Sequence, residues 1–237
     1  MATANGKKIA IVTGANKGIG FEISRKLGFA GYKVYMGGRV MNRILQSSGL
    51  LRGEGHDVVP FLMDVNDTES LDRLIAMLNE AGEGIDALIN NAAVLLDDHK
   101  GILDLNKNEV LLTLETNTVA PLIITKRLLP LMNPGCRVVM LSATSGSFCR
   151  EPIGAWAPVY SMSKTALNAI TRQLAPVLIK KDIYINAVDP GWVRTAMGGQ
   201  DAPRTLDEGA ETPVWLATDM SFKETGKFYR DKEEIPW

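Results

Sequence analysis

Cysteine and histidine are almost missing from this chain of 237 residues: Cys136, Cys149, His56 and His99 are the full complement. Two cysteines without a C-x-x-C spacing make no disulfide framework, and four scattered ligands of these types make no zinc site. Two free thiols fit a reducing compartment, so a cytoplasmic location is expected. A long hydrophobic run is also lacking. Nothing approaches the roughly 20 apolar residues that span a bilayer, and the opening MATANGKK is polar, so neither a membrane span nor a cleaved leader is expected. Charge of one sign is absent too: 26 basic against 27 acidic residues leave −1. That balance argues against nucleic acid and anionic membrane as partners, but leaves room for a small basic pocket around one phosphate. With 46% hydrophobic residues and this length, the chain can bury roughly 70–75% of its unfolded surface without a metal or disulfide staple.

What is present is alternation. Apolar runs at Lys8–Val12, Lys33–Met36, Val58–Met63, Ala87–Ile89, Arg137–Leu141, Ile183–Val188 and Gly226–Tyr229 read as about seven strands. Helical periodicity lies between them. Ile19, Ile23, Leu27 and Ala30 share one face before Gly31; Asp67 caps a stripe of Leu71, Leu74, Ile75 and Leu78. Asn106-x-x-Glu109 has capping-box spacing and opens one long helix through Leu129; another helix runs from about Pro158 to Lys180, and Thr205-x-x-Glu208 caps a last one. Strand and helix in turn, joined by short loops, predict an α/β fold: a Rossmann-type, doubly wound parallel sheet with helices on both faces. Residues 1–237 are expected to form a single domain, with ligands beyond the carboxyl ends of the strands.

Thr13-Gly14-Ala15-Asn16-Lys17-Gly18-Ile19-Gly20 stands at the first such end. Glycines at a strand-to-helix turn permit positive φ and close backbone approach, and the helix start offers free N–H groups to a pyrophosphate. A tight structural turn would also use glycines, and the spacing is G-x-x-x-G-x-G rather than G-x-G-x-x-G. The position after the first strand favours a dinucleotide, held by Gly14, Asn16, Lys17, Gly18, Ile19 and Gly20. The second strand ends Met36-Gly37-Gly38-Arg39, without the acid that would bond a ribose 2′-hydroxyl. Arg39, helped by Lys17, suits a 2′-phosphate instead, so NADP(H) is the expected cofactor; the bland alternative is two solvated cations.

Thr13-Gly14-x-x-x-Gly18-x-Gly20, Asp64-Val65, Asn90-Asn91-Ala92-Ala93, Asn117, Tyr160-x-x-x-Lys164 and Pro190-Gly191-Trp192-Val193-Arg194-Thr195 follow one another along the chain. This ordered set resembles the short-chain dehydrogenases/reductases, in particular the single-domain carbonyl-reductase-like members. The resemblance implies an NADP-dependent oxidoreductase reducing a small-molecule carbonyl compound by hydride transfer. It makes Tyr160 the proton donor, puts Lys164 on the nicotinamide ribose, and has Asn117 join a relay water to Lys164. It adds Asp64, Val65, Asn91, Ala92, Pro190, Gly191, Val193 and Thr195 as cofactor contacts and Asn90 as a support of the central sheet. A homo-oligomer, dimer or tetramer, stays open against a monomer. Four residues apart on a helix, Tyr160 and Lys164 share a face, and a nearby ammonium is expected to lower the phenol's pKa.

The chain departs from that pattern where a catalytic serine is expected. Met140-Leu141-Ser142-Ala143-Thr144-Ser145-Gly146 puts Ala143 at the position, so the role is divided between Ser142 and Ser145. Ser145 would point the same way as Ala143 if the chain stayed extended. The stretch from Ser145 to Tyr160 brings Phe148, Trp156 and two prolines near the site; Trp192 and Met197 lie in a segment expected to act as a lid, 196–212, hinged at Gly198 and Gly199. The four large side chains predict an apolar pocket with an aromatic wall, suited to a hydrophobic ketone, aldehyde or enone. A catalytically weakened NADP(H)-binding sensor or scaffold is the competing reading, on the strength of Ala143.

Overall fold

The computed structural model describes residues 6–149 and 155–237. Alternation between faces is written into each strand. In β1 (Ile9–Val12), Ile9 and Ile11 enter one core layer while Ala10 and Val12 enter the other. Both faces are therefore covered, as a parallel sheet requires. One layer receives α3 (Thr68–Ala81), α5 (Ala120–Leu128) and α6 (Pro158–Leu178) through Leu74, Leu78, Ile124, Leu128, Leu167 and Leu178. The other receives α1 (Gly18–Phe29), α2 (Met41–Gly53) and α7 (Leu206–Thr218) through Ile23, Leu27, Ile44, Leu51, Ala210 and Leu216. Each such aliphatic side chain, fully buried, contributes roughly 1.5–3 kcal/mol.

The remaining strands are β2 (Lys33–Gly38), β3 (Val58–Leu62), β4 (Ile85–Asn90), β5 (Met132–Leu141), β6 (Tyr184–Val188), β7 (Phe228–Arg230) and β8 (Glu233–Glu234). They lie in the order β3-β2-β1-β4-β5-β6-β7-β8. The first seven run parallel, and the order reverses direction beside β1, which places a ligand crevice there. The eighth strand is an addition to the seven predicted, and it is antiparallel. Asp231 and Lys232 take φ of 53° and 64°, the two-residue reversal that a tight hairpin needs.

Three local expectations were altered by tertiary contacts. The long helix from Asn106 is interrupted: α4 (Lys107–Leu114) passes through a π turn at Glu115–Val119 before α5 resumes. Asn117 sits inside that turn, and π turns inserted in helices often mark functional positions. Asn106 does accept the Glu109 N–H at 3.0 Å, but the Glu109 carboxylate goes to Lys100 Nζ, so the capping box is only half built. The Thr205 and Glu208 box is complete in both directions. Of the residues expected to act as a lid, 206–212 form the first turns of α7. The loop before them is closed at its base by a parallel bridge of Val193 with Arg204. No helix among the described residues is long and apolar enough to cross a membrane.

Candidate active site

The loop from Gly14 to Gly20 is shaped by two close approaches. Gly14 and Gly18 have φ of 64° and 59°, the left-handed region that glycine tolerates without strain. Gly20 has no room for a side chain: a Cβ would lie 2.4 Å from Asn91 Nδ2 and 2.5 Å from the Gly14 carbonyl oxygen. Asn91 is the brace. Its Nδ2 donates to the carbonyls of Thr13 and Gly14 at 2.8 and 3.1 Å, and Thr13 Oγ1 accepts the Asn91 and Ala92 N–H groups at 3.0 Å each. Asn90 is buried, and its Nδ2 donates to Thr125 Oγ1 at 3.2 Å, in keeping with a structural support.

Around this loop runs a cleft of about 460 Å³. It is lined by Gly14, Asn16, Lys17, Gly18, Ile19, Gly20, Arg39, Asp64, Val65, Asn91 and Ala92, and farther along the chain by Tyr160, Lys164, Pro190 and Thr195. These are fifteen of the seventeen residues expected at a cofactor; Gly191 and Val193 line the neighbouring cavity instead. Asn66, Thr116, Arg194 and Leu206 also line the cleft without having been predicted. The residues present fit a dinucleotide with a 2′-phosphate. Lys17, the N-cap of α1, makes no side-chain bond to the helix start, so the first-turn N–H groups remain for an anion. Lys17 and Arg39 are exposed in the cleft wall, and the ion pairs found among the described residues involve neither.

A second cavity, about 710 Å³, adjoins it, and Tyr160, Ile19, Pro190, Thr195 and Met197 line both. Tyr160 is placed by the N-terminus of α6. That helix has no cap from its own N-cap residue; the fully buried Asp97, in the loop after β4, serves instead, accepting the Val159 N–H at 2.5 Å and the Tyr160 N–H at 3.3 Å. One turn on, Lys164 Nζ lies 5.4 Å from the Tyr160 ring centroid and donates to the Leu141 carbonyl at 2.7 Å. The Asn117 side chain is fully committed: Val94 N–H to Oδ1 and Nδ2 to Val94 O are both 2.8 Å, and Nδ2 also reaches Ser163 Oγ at 3.0 Å. Asn117 thus locks the loop after β4 to α6, and the Lys164 ammonium has no side-chain bond to it.

The expected electrostatics of the pair need correction. Among the protein's own groups, burial is the largest influence on Tyr160 and raises its pKa, with the Asp189 charge adding to the rise. Lys164 is pushed down to about 8 by burial, with Asp189 opposing. The surroundings of the phenol thus raise its pKa, where the lysine was expected to lower it.

The two serines separate clearly. Ser142 Oγ donates to Asn168 Oδ1 at 2.5 Å and lines the cofactor cleft. Ala143 is extended and lines the cavity, but the chain then turns through a 3-10 segment, Thr144–Gly146, so it does not stay extended to Ser145. Ser145 nonetheless lines the cavity, and its Oγ is buried without a partner among the described residues.

Of the expected substrate wall, Trp156, Trp192 and Met197 line the cavity. Trp156 packs against Tyr160 with ring centroids 6.1 Å apart, and Trp192 Nε1 donates to the Gly198 carbonyl at 2.6 Å, across the foot of the loop. Phe148 does not line the cavity; it is 71% exposed. Of the two prolines in that stretch, Pro158 opens α6 and Pro152 lies outside the described residues. Nor is the wall wholly apolar: Asp98, His99, Asp189, Asp201 and Arg230 share it. Only their approach in space brings them there, although Asp189, beside the Pro190-Gly191 motif, could have been suspected from its position.

A family model described as short chain dehydrogenase matches residues 8–205. A carbonyl reductase [NADPH] 1 from Sus scrofa is 32% identical, over 97% of this chain and 94% of that protein. The human dehydrogenase/reductase SDR family member 4 is 34% identical over 80% of this chain and 67% of its own length. Among solved structures, the NADPH-bound carbonyl reductase from chicken fatty liver superposes with a TM-score of 0.87 at 26% identity, covering 98% of this chain and 99% of the other. The carbonyl reductase Sniffer of D. melanogaster gives 0.85, also at 26% identity and with the same coverage.

Proposed function

The chain belongs to the short-chain dehydrogenase/reductase family, and on that premise we propose that it is an NADP(H)-dependent carbonyl reductase acting on apolar ketones, aldehydes or enones. The observation that carries this reading is the junction at Tyr160: one side chain borders both a cleft with unpaired cations and a cavity walled by Trp156, Trp192 and Met197. NADPH, when bound, supplies the hydride. Lys17 and Arg39 hold its 2′-phosphate end, and the start of α1 takes the pyrophosphate. Tyr160 holds a proton on its phenol and gives it to the substrate oxygen. Lys164 carries the positive charge that steadies the phenolate left behind. Ser145, whose hydroxyl has no partner among the described residues, donates a hydrogen bond to the substrate oxygen in place of a serine at 143. The tryptophans exclude water and orient the apolar part of the substrate.

Arg39→Asp tests the cofactor. Hydrogen bonds to charged groups are worth roughly 1.5–3 kcal/mol, so the preference for NADPH over NADH should fall about tenfold to a hundredfold, read as the ratio of kcat/KM with the two cofactors. An unchanged ratio removes Arg39 from the 2′-phosphate. Ser145→Ala tests the donor. Loss of one such donor lowers kcat roughly 10²–10³-fold, whereas Ser142→Ala, already bonded to Asn168, should change it little. The opposite ranking would move the role back to Ser142. Ala143 also favours a second reading, a protein that binds NADP(H) without turnover. Tight NADPH binding together with no consumption of any carbonyl compound would select it.

A further inference from the structure

Asp189 follows directly after β6 and is 4% exposed. A buried carboxylate is costly unless it is paired and hydrogen-bonded, and this one is bonded on three sides. Oδ1 accepts the Gly191 N–H at 2.8 Å, Oδ2 accepts the Thr144 N–H at 3.2 Å, and Arg230 Nη1 stands 3.5 Å from Oδ2. The Asp189 N–H donates to the Tyr229 carbonyl at 2.8 Å. One side chain thus joins the turn after β5, the segment after β6 and strand β7. Two of those three carry proposed functions. The turn presents Ser145 to the cavity, and Pro190 borders the cofactor cleft. Asp189 and Arg230 themselves line the cavity.

We propose that Asp189 is a positioning residue of the reaction: it clamps the Ala143–Gly146 turn to the Pro190–Gly191 segment and holds a fixed negative charge beside the Tyr160 and Lys164 pair. The proposal rests on the reductase reading for what the two clamped segments do. Arg230 completes the clamp from β7 and is itself shared, with Nε 3.7 Å from Asp231 Oδ2. Asp231 in turn pairs with Arg204 at 2.6 Å. The charged or titratable groups facing Asp189 are therefore Tyr160 and Lys164 from α6, Arg230 from β7 and Arg204 from the segment before α7; Asp98, His99 and Asp201 line the same cavity. Of these, Lys164 is buried and has no carboxylate bonded to it. Asp189 raises its proton affinity against the stronger effect of burial, and so favours the charged ammonium.

The test uses the full chain with two substitutions. Asp189→Asn keeps an acceptor for the Gly191 N–H and removes the charge; Asp189→Ala removes both. Folding of each is checked by thermal melting before kinetics. With NADPH and an aromatic ketone, Asp189→Ala should lose roughly a hundredfold in kcat, the scale of a misplaced reacting group, while its KM for NADPH rises by a smaller factor because the released Pro190 borders the cofactor cleft. Asp189→Asn should retain more kcat, and its basic limb should move to lower pH. A readout independent of turnover is the titration of the Lys164 side chain, followed by NMR of protein carrying lysine labelled with carbon-13 at Cε. Its midpoint should fall in Asp189→Asn. Folded variants with the kcat, pH profile and Lys164 midpoint of the wild type would overturn the proposal. A wild type that binds NADPH but reduces no carbonyl compound would overturn the functional reading, and the positioning claim with it. In that case the Lys164 midpoint still decides whether Asp189 controls the lysine's charge.

Discussion

Tyr160→Phe should lower kcat for carbonyl reduction by roughly 10²–10⁴-fold, the usual contribution of a positioned acid, and leave NADPH binding nearly unchanged. The substitution removes one oxygen and keeps the ring that packs on Trp156 at 6.1 Å, so the fold and the cleft survive. Burial and Asp189 hold the phenol well above its ordinary pKa, so Tyr160 stays protonated through neutral pH and serves as donor rather than base. Reduction should therefore show no acid limb from this group. The variant is checked by steady-state kinetics beside a fluorescence titration with NADPH. Turnover equal to the wild type would remove Tyr160 from the reaction.

Lys164→Met should have an effect of the same order on turnover and remove a pH dependence from stability. The amine is buried, with its Nζ bonded to the Leu141 carbonyl at 2.7 Å. Burial pushes it down to about 8, while a lysine in the unfolded chain titrates near 10.4. Between those two values the unfolded chain binds more protons than the folded one, so stability rises with pH across that window. Below about 8 the whole cost of burying the cation is present, about 3 kcal/mol. Methionine fills similar volume without charge. The wild type should thus gain stability as pH rises from about 8 toward 10, and the variant, which has no group titrating there, should lack that rise. Urea unfolding at both pH values reads the difference. The same titration gives the wild type a basic limb in kcat/KM as pH rises through about 8, where the charge beside Tyr160 is lost. A variant whose stability rises across this pH window as steeply as the wild type's would contradict this account of Lys164.

The parallel sheet was legible because each strand is a short apolar run between a glycine turn and a helix with one apolar stripe. The features that escaped prediction depend on contacts made across the chain. β8 exists only because Asp231 and Lys232 reverse direction beside β7. The π turn at Glu115–Val119 leaves the local pattern helical while Asn117 is drawn to Val94 and Ser163. The cofactor side of the site was readable because Gly14, Gly18, Gly20 and Arg39 lie near strand ends, where neighbours in sequence are neighbours in space. The substrate side was not. Phe148 looked like a wall and is exposed outside the cavity lining, while Asp98 and His99 arrive together from the loop after β4 and Arg230 from β7. The serine question also needed the structure: the Asn168 bond engages Ser142, whereas Ser145 lines the cavity although the 3-10 turn after Ala143 breaks the extended path expected to aim it there.

The central claim is that NADPH and an apolar carbonyl compound meet at Tyr160. The most direct measurement mixes the protein with NADPH and a panel of aromatic ketones and aldehydes, following the reduced-nicotinamide absorbance and quantifying the alcohol formed. The account predicts one alcohol for each NADPH oxidised with at least one member of the panel, and a rate that collapses in Tyr160→Phe. NADPH bound in the cleft but left unoxidised by every carbonyl compound, or oxidised equally fast by Tyr160→Phe, would contradict it.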